Sequence, residues 1–148
     1  MELIKAEQLA VRLMTKHNLF NQNWKFAFDN ARQRLGFCSY KKKTISLSKN
    51  FISLLGEDEI TDTILHEIAH ALVGRKCGHG YTWQRKAIEI GCNGLRLYNG
   101  EARVEAKYKG TCPVCGRVIQ RHRRKRISCG KCSRTFNEKY LYVWTISA

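Results

Sequence analysis

Two sets of residues in this chain have the types and the spacing to hold a metal ion. The first is His66-Glu67-Ile68-Ala69-His70. On a helix, residues four apart share a face, so both imidazoles can reach one ion. Glu67 stands within about 100° of each histidine around the axis, which brings its carboxylate toward a water held by that ion. Zinc lowers the pKa of such a water to about 7, and a glutamate that takes the proton readies it to attack a peptide carbonyl. The pattern therefore offers metal-assisted peptide hydrolysis with Glu67 as the catalytic base. The second set is Cys112, Cys115, Cys129 and Cys132, two CxxC pairs with thirteen residues between them. Four thiolates close a tetrahedral zinc site and leave no open position, so this second zinc is expected to be structural.

A catalytic zinc needs a third protein ligand, and the sequence offers three. His79 follows His70 by nine residues, and its flanking Gly78 and Gly80 would let the backbone curl the imidazole back toward the metal. Glu89 follows His70 by nineteen residues on the next expected helix, a spacing that suits zinc proteases with a glutamate ligand. Cys77 is the third option. The extended metzincin pattern is excluded, since Val73 and Lys76 stand where it requires Gly and His.

These groups must be positioned by secondary structure. Around the HEIAH pattern, Ile64, Leu65, Ile68, Ala69 and Leu72 form an apolar arc, while His66, Glu67 and His70 fall on the remaining side. A helix over 57–75 follows, with acidic residues in its first turn. Upstream, apolar spacing predicts an amphipathic helix over 5–17. Trp24–Asp29, Arg34–Tyr40 and Thr44–Ser48 read as short strands of a small antiparallel sheet, with Lys41–Lys43 at a hairpin tip. Ser48 then caps a short helix over 49–55, and a further helix is expected over 81–90. Residues 91–107 carry no clear pattern, and Tyr140–Ile146 reads as a strand. The expected fold class is α+β, helices packed on a small antiparallel sheet, with a C-terminal zinc ribbon. Cys38, Cys77 and Cys92 read as packing residues.

Charge divides the chain. Residues 1–100 hold 15 basic and 9 acidic side chains, and residues 101–148 hold 12 and 3. Between the CxxC pairs run Arg121, Arg123, Arg124, Lys125 and Arg126, with His122 among them. Like charges so crowded repel unless an anion neutralises them, which points to a phosphate polyanion such as a nucleic acid. No run of about 18 apolar residues suggests a membrane span, and the N-terminus lacks the apolar core of a secretory signal. A soluble, intracellular monomer with no membrane partner is expected, and metal is favoured over disulfides for the paired cysteines.

In order along the chain, the Trp24–Asp29 strand, Leu35-Gly36, Ile45-Ser46-Leu47-Ser48, HEIAH, Gly78-His79-Gly80 and the cysteine-rich tail resemble the SprT-like family, which includes the Spartan-type proteases. The resemblance covers nearly the whole chain. It implies a minimal zincin-type, gluzincin-like core over 1–100 and a basic four-cysteine zinc ribbon over 101–148. It also implies His66, His70 and His79 as ligands, Glu67 as the base, and two zinc ions, one catalytic and one structural. The function it implies is a zinc-dependent endopeptidase acting on DNA-associated or DNA-crosslinked proteins, in the manner of DNA–protein crosslink repair. The alternative is a non-enzymatic, zinc-containing nucleic-acid-binding protein in which HEIAH holds a structural metal.

Overall fold

A computed structural model describes residues 1–147. The chain divides into two compact units, one spanning Met1–Val104 and the other beginning at Glu105. The first opens with α1 (Leu3–Lys16), which buries Ala6, Leu9, Ala10 and Met14, the one-sided spacing of an amphipathic helix. Three strands follow: β1 (Lys25–Asp29), β2 (Gly36–Ser39) and β3 (Thr44–Ser48).

The sheet corrects one expectation. β2 and β3 form the antiparallel hairpin across the lysine turn, but β1 runs parallel to β3, and the strand order is β1-β3-β2. Burial explains the order. Ile45, Ser46, Leu47 and Ser48 are all buried, as a central strand covered on both faces requires, whereas β1 and β2 keep exposed residues and take the edges. Residues 30–35 cross the end of β3 and are pinned there. Asp29 accepts from the Ser46 hydroxyl at 2.8 Å and from the Ala31 amide at 3.0 Å, and the Ser48 amide donates to the Leu35 carbonyl at 2.8 Å.

Ser48 caps α2 (Lys49–Ile52) by accepting from the Asn50 amide. α3 (Glu57–Val73) buries Ile60, Ile64, Leu65, Ile68 and Ala69. It stops two residues before the expected Arg75, where Gly74 takes φ +91°. α4 (Tyr81–Glu89) buries Trp83 and Ala87. These faces meet in one core with Met14, Ile45 and Leu47. Residues 91–104 have no regular secondary structure, yet Cys92 is buried and Tyr98, Ala102 and Val104 pack against that core.

The second unit is an antiparallel sheet of β4 (Tyr108–Thr111), β5 (Val118–Arg121) and β6 (Val143–Ile146), in the order β5-β4-β6. Its buried centre is Cys112, Cys129 and Tyr142, with Ile119, Ile127 and Trp144 packed around them. The fold class is α+β, with a four-cysteine cluster suited to a zinc ribbon. Among the described residues, no helix is long and apolar enough to cross a membrane.

Candidate functional site

α3 presents His66 and His70 one turn apart, with Glu67 beside them. After Val73 the chain reverses through Gly74, a short turn over Arg75–Cys77 and Gly78. Gly78 takes φ +49°, ψ −134°, a conformation closed to side chains with a Cβ. This reversal returns His79 to α3. Its Nε2 lies 3.1 Å from Nε2 of His66 and 2.9 Å from Nε2 of His70.

The donor set fits a zinc ion. Nitrogens held at about 2.0–2.1 Å in a tetrahedral shell lie roughly 3.3–3.4 Å apart, close to the separations seen. Burial also keeps the rings neutral and able to ligate. It pushes His66 down to about 4, helped by His79, and His70 down to about 4, helped by His66 and His79. His79 is lowered as well, by burial and then by Arg96.

Glu67 is buried, 8% exposed, and burial pushes its carboxyl up to about 8 against the opposing charge of Arg34. Burial thus strengthens the carboxylate as a proton acceptor. β2 passes directly over this residue: a Cβ at Gly36 would lie 3.2 Å from Glu67 Cγ and 3.0 Å from Thr63 Cγ2. The histidines and the buried Glu67 line a cleft of about 710 Å³ together with residues from two segments, 33–38 and 93–99.

The other candidate ligands lie outside this cluster. Glu89 carries an ion pair with Lys86 at 3.1 Å and is exposed, and the Cys77 thiol donates to the Val73 carbonyl at 3.4 Å. Two further contributors belong to no motif in the sequence. Trp83 sits against all three imidazoles. Its one signal is its place in the first turn of α4, where side chains lean back toward the helix N-terminus and so toward His79. The segment 93–99 is the second: Leu95 offers its backbone to His66, the Asn93 amide donates to Asp62 at 2.7 Å, and the Tyr98 hydroxyl to Glu59 at 2.7 Å.

In the second unit, Sγ of Cys112 lies 3.8 Å from that of Cys132, and Sγ of Cys115 lies 3.7 Å from that of Cys129. Disulfide sulfurs would sit at about 2.05 Å, whereas thiolates at about 2.3 Å from a tetrahedral zinc are roughly 3.8 Å apart. The four sulfurs therefore fit zinc. The basic run is exposed but is not a free arm. Arg121 belongs to β5 and bonds the Gln120 carbonyl, Arg124 lies over Tyr108 at 5.4 Å, and Arg126 lies over Phe136 at 5.0 Å and pairs with Glu138. Arg123 and Lys125 are exposed beside them.

Three convergent imidazoles on an HExxH helix and its following loop, with a buried carboxylate lining the same cleft, define a candidate metallohydrolase centre. The model of the SprT-like family matches residues 6–109, and the chain belongs to that family, a metalloprotease-like one. Comparison with curated proteins returned no match.

Proposed function

We propose that the chain is a zinc-dependent endopeptidase with His66, His70 and His79 as metal ligands and Glu67 as the base, acting on proteins bound or crosslinked to DNA. The convergence of the three Nε2 atoms beside a buried Glu67, lining one cleft, carries this reading. A zinc ion bound there supplies Lewis-acid polarisation of the water and the scissile carbonyl. Glu67 takes a proton from the attacking water and passes it to the leaving amine. β2 lies at the edge of its sheet and lines the cleft. An extended peptide that adds to this edge would run its carbonyl groups past Glu67.

The second unit supplies the nucleic-acid contact. Its charge excess supports this, as do Arg124 and Arg126, held over aromatic rings with their neighbours exposed. The ribbon's zinc holds the unit together. Glu67→Gln tests the chemistry. The variant should keep its metal and lose about 10²–10⁴-fold in cleavage of a DNA-bound protein. Undiminished cleavage would remove Glu67 from the mechanism.

A further inference from the structure

Trp83 is 1% exposed, the largest of the fully buried side chains. Its ring centroid lies 4.5 Å from that of His66, 5.2 Å from that of His70 and 4.8 Å from that of His79. Toward His70 the rings stack, with 23° between their planes. The Trp83 indole N–H donates to the His66 backbone carbonyl at 3.3 Å, tying the first turn of α4 to the middle of α3.

Histidine ligands of a metal are ordinarily oriented by an acceptor on the second ring nitrogen. His66 has such a partner in the Leu95 backbone. His70 has none: its Nδ1 is buried with no hydrogen-bond partner among the described residues. No protein group among the described residues therefore fixes the His70 ring from its Nδ1 side, and the face of Trp83 lies where it can.

We infer that Trp83 is the positioning residue of the histidine cluster, a rigid platform that holds His66, His70 and His79 convergent before an ion arrives. The inference rests on the metal-centre reading above. A stacked indole has two side-chain torsions and is locked here by burial and by its N–H bond. It thus restricts rings from two separate segments of chain, α3 and the loop before α4. Without it, each imidazole would have to be ordered at the expense of binding free energy.

The test uses the full chain with Trp83→Leu and Trp83→Phe. Zinc release to a chromogenic chelator should show two phases, one for the histidine site and one for the cysteine site, and cobalt substitution should give the histidine site its own visible spectrum. The leucine variant is expected to release histidine-site zinc about 10- to 100-fold faster than wild type, as removal of an orienting partner does, with an altered cobalt spectrum and an unchanged cysteine phase. Trp83→Phe keeps a ring to stack but not the N–H bond, so its release rate should fall between the two. A leucine variant that folds and releases zinc at the wild-type rate with the wild-type spectrum overturns the inference. Should the leucine variant fail to fold, Trp83→Met, which fills the site without a flat face to stack on, decides, and wild-type release from it overturns the inference equally. Wild-type protein holding zinc at the cysteines alone would instead overturn the metal-centre reading on which this rests.

Discussion

The sequence offered His79, Glu89 and Cys77 as third ligand, with His79 the preferred one, and the geometry places only His79 against the helix histidines. The ring nitrogen of His79 lies within about 3 Å of both helix histidines, whereas the Glu89 carboxylate turns outward to Lys86. Metal analysis should therefore find two zinc ions in wild type and in Glu89→Ala, one per cluster, and one ion in His79→Ala. A full complement in His79→Ala would return the question to Glu89 or Cys77. The HEIAH residues were legible because a helix fixes the relation of positions four apart. The platform under them was not. Trp83 reaches His66 and His70 on α3 from the following helix, and no local period records such a meeting.

Elements carry the site by how closely they approach one another. Gly36 lets β2 lie against α3, since a side chain there would meet Thr63 Cγ2 at 3.0 Å, Glu67 Cγ at 3.2 Å and the Ser46 carbonyl at 3.3 Å. Gly36→Val should cost about 1–3 kcal/mol, the usual range for overpacking, read as a lowered urea midpoint. Peptidase activity should fall further than the remaining folded fraction explains, because the displaced strand pushes on Glu67. Activity tracking the folded fraction would assign Gly36 to packing alone. In the first unit the strands, their hairpin and the helices were readable from alternation and apolar spacing, whereas β4 and β5 of the second were not assigned. Their partnership was not: β1 joins β3 in parallel because residues 30–35 are anchored by Asp29 and Ser48, an anchoring that alternation does not encode. Residues 91–104 were opaque for a related reason. They are held by single hydrogen bonds to Asp62 and Glu59 rather than by any repeating pattern.

For the molecule as a whole, charge and chemistry fall in different units. The histidine cluster lies in the first, while the second holds the run from Arg121 to Arg126 around the cysteine cluster. If that run grips phosphates, DNA affinity should fall steeply with salt. Replacing Arg123, Arg124 and Lys125 by alanine should flatten the slope of log K against log salt by about 0.9 for each duplex phosphate no longer neutralised. An unchanged slope would move the nucleic-acid contact elsewhere. The place of β2 at the edge of its sheet then bears on selectivity. A strand edge offers the same ladder of amides and carbonyls to any extended chain, whatever its side chains. On the function proposed above, a peptidase reading backbone in this way would recognise shape and not spelling. Its restraint would then come from address: which proteins are tethered near it, at high effective concentration, and which of them have come far enough undone to present an extended stretch.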